Sequence, residues 1–326
     1  MKPALIVTGA AGFIGRNLVA ALNQRGETNI YLVDALGRDE KWRNLAGLAF
    51  EDFWSIADFR QRVRTNAVPK TSTIFHLGAC SATDEADADY LLDNNYRTTR
   101  ELCEWSLQHG TRFIYASSAA TYGAGEHGYN DSNAVTPLLR PLNMYGYSKH
   151  MFDLWALRRG HLASSIAGLK YFNVFGPGED HKGHMRSVIN KAVSQIVEHG
   201  RVQLFRSHRP DYADGEQLRD FVYVKDAVAQ TLFYHDHPEV SGLFNAGTGR
   251  ARSWKNLADA VFAALGRDPV IEFIDMPVTL REKYQYYTQA DMTKARAAGY
   301  TRAAHTLEEA VRDYVQNYLA PGAPRL

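Results

Sequence analysis

The chain has 326 residues, 45% hydrophobic and 22% charged, which allows one large core or two lobes sharing a cleft. A formal net charge of +1 excludes the general field that gathers nucleic acid or an anionic membrane surface. Two cysteines, Cys80 and Cys103, form no disulfide framework and lack metal-ligand spacing. With no signal-peptide pattern and no membrane-length apolar run, a cytoplasmic enzyme without metal is expected.

Ala4–Val7 is a short apolar strand running into glycine, and Phe13 to Leu22 has helical apolar spacing that stops near Gly26. Ile30–Val33 is a second buried strand ending at Asp34, and Thr73–Leu77 is a third. Tyr90 to Gln108 reads as one long helix, Arg112–Ser117 as a fourth strand, Met144–Arg159 as a helix after Pro141, and Ile166–Phe172 as another strand. This alternation predicts an α/β fold: a Rossmann-type, doubly wound parallel sheet with helices on both faces. Gly9, Asp34, Gly78, Ser118 and Asn173 then fall beyond the carboxyl ends of strands, where ligands of such sheets lie.

After Asn173 the rhythm changes. Ser187–His199 and Ser253–Leu265 read as helices, with polar loops at Gly176–Gly183 and His208–Gln217. The strand-like Phe221–Val224 and the helix after it are expected to return to the main sheet. The predicted division is a dinucleotide-binding domain over 1–172, with return segments near 221–248 and 282–297. A smaller, interlaced substrate domain would take 173–220, 249–281 and 298–326.

Gly9, Gly12 and Gly15 form G-x-x-G-x-x-G between strand and helix. Glycine permits the tight turn and close approach of a pyrophosphate, and the helix N-terminus supplies amide donors. Asp34 sits where an acid holds the ribose hydroxyl of NAD, yet Arg38, Lys41 and Arg43 follow and suit a 2′-phosphate, so position leaves NAD and NADP open. Tyr145 and Lys149, four apart, share one helix face, and a lysine there is expected to lower the phenol pKa. Tyr147 falls off that face. Beside this pair, Ser118 is read as the hydroxyl that orients a substrate oxygen rather than as a turn residue. Arg219 suits either a substrate diphosphate or a structural ion pair. Lys182 reads first as a loop lysine or anion clamp, and His76 as a satisfied core histidine.

Thr8–Gly15, Ser117–Gly123, Tyr145-x-x-x-Lys149, Tyr171–Pro177 and Arg219–Val224 together resemble the extended short-chain dehydrogenase/reductases that act on nucleotide sugars. His76–Ser81, Asp93–Tyr96, His181–Gly183, Phe244–Arg250 and Tyr284–Asp291 are similar to the ADP-heptose 6-epimerase branch of that family, over essentially the whole chain. The resemblance implies inversion at C6 of an ADP-linked heptose for the lipopolysaccharide inner core, through transient oxidation by bound NADP to a 6-keto sugar. It implies Tyr145 and Lys182 as two acid/bases, Ser118 orienting substrate and Lys149 on the cofactor ribose. Beside the glycines, Phe13, Ile14, Asp34, Lys41, Leu77, Gly78, Ala79, Cys80, Ser81, Asn94 and Val174 match cofactor positions. Asn173, Arg219 and Tyr284 match substrate positions. His184 and Lys191 take substrate-side places where some relatives carry serine and histidine, and the 208–216 loop is longer than in some. The resemblance also implies a homo-oligomer, a pentamer in the family. The alternatives are another nucleotide-sugar epimerase or dehydratase, and a non-catalytic dinucleotide sensor. Ser118-Ala-Ala-Thr121 lacks the Thr-Asp-Glu of dehydratases.

Overall fold

The computed structural model describes residues 2–281 and 284–320; residues 282–283 and 321–326 of the expected division lie outside the described residues. Seven parallel strands form the main sheet, in the order Gly242–Ala246, Ile166–Tyr171, Arg112–Ser118, Thr71–His76, Ala4–Thr8, Ile30–Val33, Asp52–Trp54. Successive strand residues point to opposite faces, so continuous apolar runs feed two cores. Leu5, Val7, Phe75, Ile114 and Leu169 join the core beneath the Phe13–Gln24 and Val224–Asp236 helices. Ile6, Ile74, Phe113 and Tyr115 join the opposite core, under Ile56–Arg64, Thr98–Gln108 and Met144–Arg158. Leu18, Val19 and Leu22 of the first helix are fully buried, each stabilising the fold by about 1.5–3 kcal/mol.

Strand order reverses at Ala4–Thr8, whose neighbours Ile30–Val33 and Thr71–His76 lead to opposite edges. A crevice opens at this switch point, over the turn that ends the strand.

Several elements differ from expectation. Leu218–Tyr223 does not return to the main sheet: it pairs with Asn173–Phe175 and Ala251–Ser253 in a separate three-stranded sheet. The strand that returns is Gly242–Ala246, beside Ile166–Tyr171. A further pair, Val202–Phe205 with Ile271–Ile274, completes the smaller part. Asp52–Trp54 and the Ile56–Arg64 helix were not anticipated; the edge strand has three residues and only Trp54 is buried. The long helix near 90–108 contains a π-type turn over Leu92–Arg97, which places Asn95 in the interior. Among the described residues no helix is long and apolar enough to cross a membrane.

Candidate active site

The turn after the first strand is built by backbone contact. A Cβ at Gly15 would lie 2.0 Å from Gly9 O, and one at Gly9, whose φ is +68°, would lie 2.7 Å from Gly78 N. The Phe13–Gln24 helix starts at Gly12 with no side-chain cap and no acid in its first turn. Its first amides therefore keep their donors for an anion, as a pyrophosphate requires. These residues border a cavity of about 770 Å³.

At the end of the second strand the Asp34 carboxylate accepts from Ala11 N at 2.9 Å, Ala35 N at 2.7 Å and Lys41 Nζ at 2.6 Å. It therefore braces the glycine turn and draws a cation to the same cavity wall. The direction of one hydrogen-bond chain is fixed by counting protons. Thr99 gives its one hydroxyl proton to Asn95 O, so its oxygen accepts from His76 Nε2–H at 2.9 Å. Nδ1 of the neutral ring then accepts from the Thr8 hydroxyl, 2.7 Å away, whose oxygen also accepts from Gly78 N at 3.0 Å. Asn95 clasps Cys80 through both backbone groups and donates to Ser148 Oγ at 3.0 Å, and Ser148 donates to Tyr145 O at 2.7 Å. The glycine turn and the helix that carries Tyr145 are thus joined by one buried chain. Burial, with Lys149 adding to it, holds His76 down at about 3.

Tyr145 and Lys149 face the cavity from the Met144–Arg158 helix, which Asn143 caps by accepting from Gly146 N. Tyr147 is 48% exposed and points away. Burial raises the Tyr145 pKa above its ordinary value; a hydrogen bond with Ser118 opposes this and Cys80 adds to it. The expected lowering by Lys149 does not prevail. The Lys149 ammonium donates to Ala116 O at 2.9 Å, and burial brings its own pKa to about 8 against the opposing effect of Asp153. Ser118 ends the Arg112–Ser118 strand, accepting from Ala120 N at 3.1 Å.

Lys182 enters the same cavity from a different element, the short Asp180–Met185 helical turn, with its ammonium 5.5 Å from the Phe13 ring centroid. Burial and Lys191 lower its pKa, and Glu179 opposes them. The segment is anchored from three sides. Asn17 donates to Pro177 O at 2.8 Å and Asn44 to Gly178 O at 3.2 Å. Buried Glu179 accepts from Ser187 N and Oγ, both at 2.6 Å, and from Tyr314 OH at 2.9 Å. Leu77 to Ser81, Asn94, Asn173 and Val174 also line this cavity.

Arg219 is 95% buried, with its guanidinium over the Tyr284 ring at 4.9 Å and the Trp254 ring at 5.7 Å. Among the described residues its hydrogen bond is to Leu218 O. Tyr284, Trp254 and Lys191 border a second cavity of about 320 Å³, and Trp254 and Val188 line both. His184 lies on the surface, where its ring meets Asp84 at 3.2 Å; neither it nor Arg219 is among the residues lining the two cavities. A 3₁₀ turn about Gly183, with φ of +54°, points successive side chains in different directions. Trp254, Glu179 and Asn95 were not singled out from sequence. Only Asn95 carried a signal, as the second asparagine of Asp93-Asn-Asn-Tyr96.

A glycine turn at the switch point, a Tyr/Lys face beyond the sheet and an adjoining cationic, aromatic cavity define a dinucleotide-dependent enzyme of the Rossmann class. A model described as NAD dependent epimerase/dehydratase family matches residues 5–247. The ADP-L-glycero-D-manno-heptose-6-epimerase of Nitratidesulfovibrio vulgaris strain DP4 is 52% identical over 98% of this chain and 99% of its own. The protein of the same name from Fusobacterium nucleatum subsp. nucleatum is 45% identical over 97% and 98%. The crystal structure of Helicobacter pylori ADP-L-glycero-D-manno-heptose-6-epimerase superposes with a TM-score of 0.78 at 26% identity, covering 96% of this chain and 95% of that one. The chain belongs to the NAD dependent epimerase/dehydratase family.

Proposed function

We propose that this chain inverts C6 of ADP-D-glycero-D-manno-heptose to give ADP-L-glycero-D-manno-heptose, through a 6-keto sugar and with bound NADP. The observation that carries the reading is the entry of Tyr145 and Lys182 into one cavity from separate elements, over the glycine turn. The names of relatives 45–52% identical over nearly their whole length support the substrate.

Held by the glycine turn and the first amides of the Phe13–Gln24 helix, NADP would supply the hydride acceptor and donor for C6. The chain's residues manage the protons and the orientation. Tyr145 exchanges the hydroxyl proton of one epimer and Lys182 that of the other; from rest Lys182 takes the first proton and Tyr145 returns one on the opposite side. The raised phenol keeps Tyr145 protonated at rest, ready as the acid; the lowered Lys182 loses its proton more readily than an ordinary lysine. Ser118, hydrogen-bonded to Tyr145, orients the oxygen between them. Arg219, Tyr284, Lys191 and Asn173 take the ADP side, where a guanidinium between two rings suits a diphosphate.

The uncapped helix start and the open turn fit a dinucleotide pyrophosphate. Asp34 already accepts from three donors, one of them Lys41. An acid so occupied favours a cation-bound 2′-phosphate, hence NADP over NAD. A cytoplasmic homo-oligomer, pentameric by family resemblance, completes the reading. Cofactor-loaded protein incubated with ADP-D-glycero-D-manno-heptose and no added reductant gives the L-glycero epimer; no inversion sinks the proposal.

A further inference from the structure

Behind the site lies a buried ion pair that the proposed chemistry does not use. Lys170, inside the Ile166–Tyr171 strand, is fully buried; its ammonium donates to Asp153 Oδ2 at 2.9 Å and to Thr121 Oγ1 at 2.6 Å. Asp153, equally buried, lies on the Met144–Arg158 helix four residues past Lys149 and eight past Tyr145. It also accepts from Ser117 Oγ at 2.7 Å and Tyr115 OH at 2.8 Å. Neither charged residue lines the cavities.

A buried ion pair is weak evidence for stability, because desolvation offsets much of the attraction and apolar residues of similar size do as well. The connections of this pair point elsewhere. Ser117 precedes Ser118 and is tied to Asp153. Thr121, tied to Lys170, donates to Ser118 O at 2.7 Å. Ser118 is therefore held from its N-terminal side and at its own carbonyl, and both ties converge on the helix that carries Tyr145 and Lys149.

We infer that Asp153 and Lys170 are positioning residues: they lock Ser118, Tyr145 and Lys149 into one register without touching substrate or cofactor. The inference rests on the proposed epimerase reading. Asp153 has a second effect through its charge. Lys149 is faced by Tyr145 and Asp153 on its own helix, and by His76 and Cys80 at the end of the neighbouring strand. Of these, Asp153 is the main opponent of the burial that lowers Lys149.

The test is the double variant Asp153→Asn/Lys170→Met, which removes both charges at nearly constant volume. Its kcat is expected to fall about ten- to a hundredfold, the effect of a small misplacement of reacting groups. KM stays within about twofold, since binding contacts are intact. The pH midpoint assigned to Lys149, read from NADPH binding by fluorescence, moves to lower pH. A purely structural role would leave that midpoint in place. Parental kcat and midpoint in the double variant overturn the inference. Should that variant not fold, Ser117→Ala leaves no unpaired buried charge; a several-fold lower kcat at unchanged KM supports the inference, and parental kcat overturns it. Absence of epimerisation by the unsubstituted chain would count against the proposed function alone, because the NADPH midpoint still judges the pair.

Discussion

His76 is predicted to stay neutral, with its proton on Nε2, far below the pH at which an ordinary histidine charges. The perturbation is acidification. Thr99 fixes Nε2 as the donor, because its own proton goes to Asn95 O, and Nδ1 of the neutral ring accepts from Thr8. Protonating Nδ1 would cost that hydrogen bond and leave a charge in a buried place. A pKa displaced from 6.5 to about 3 corresponds to about 4–5 kcal/mol between the two protonation states. The sign follows from proton counting. Above pH 6.5 the ring is neutral both folded and unfolded. Below it the unfolded chain takes a proton that the folded chain refuses, so stability falls as pH drops from about 6.5 toward 3. The assay is a two-dimensional NMR titration of protein labelled with 15N-histidine, from pH 7.5 to pH ~5, the signal being assigned by its loss in His76→Gln. An unmoving Nε2–H pattern is expected. A midpoint near 6.5, or an Nδ1–H tautomer, would refute the proton count and with it the directed chain from the glycine turn to Tyr145.

Tyr145→Phe should lower kcat by about 10²–10⁴ while leaving bound NADP in place, as checked by the absorbance of the purified protein. Lys182→Ala should lower kcat by a similar factor of about 10²–10⁴; the ADP-heptose epimerisation rate measures it, and an unchanged rate removes Lys182 from the two-base scheme. Lys41→Ala should weaken NADP binding by roughly tenfold or more, with NAD little affected, because a charge-assisted contact to a phosphate is lost. Calorimetric titration of both dinucleotides decides this, and equal losses for both would assign Lys41 to bracing Asp34.

Much of this molecule was legible because its strands are apolar on both faces and end at chemically marked positions. Ala4–Thr8 and Ile30–Val33 lead into Gly9 and Asp34, so the sheet and its crevice could be read together. Leu218–Tyr223 pairs outside the expected sheet because an apolar run specifies burial and not its partner; its register with Asn173–Phe175 joins residues 48 apart, Phe221 opposite Asn173. The π-type turn at Leu92–Arg97 has no periodic signature, yet it brings Asn95 to Cys80 and Ser148. Spacing put Tyr145 and Lys149 on one face, but not the direction of the phenol's shift: desolvation raises it against the Ser118 hydrogen bond, and that burial exists only once the fold is formed. The backbone about Gly183 sends Lys182 inward and His184 to solvent, which spacing in a loop does not reveal.

The most direct test of the central claim is NMR of ADP-D-glycero-D-manno-heptose incubated in D₂O with the cofactor-loaded protein alone. A borrowed and returned hydride predicts a mixture of the two C6 epimers, with protium retained at C6 and no net change in cofactor absorbance. Deuterium at C6, accumulation of oxidised sugar with reduced cofactor, or no inversion would contradict it.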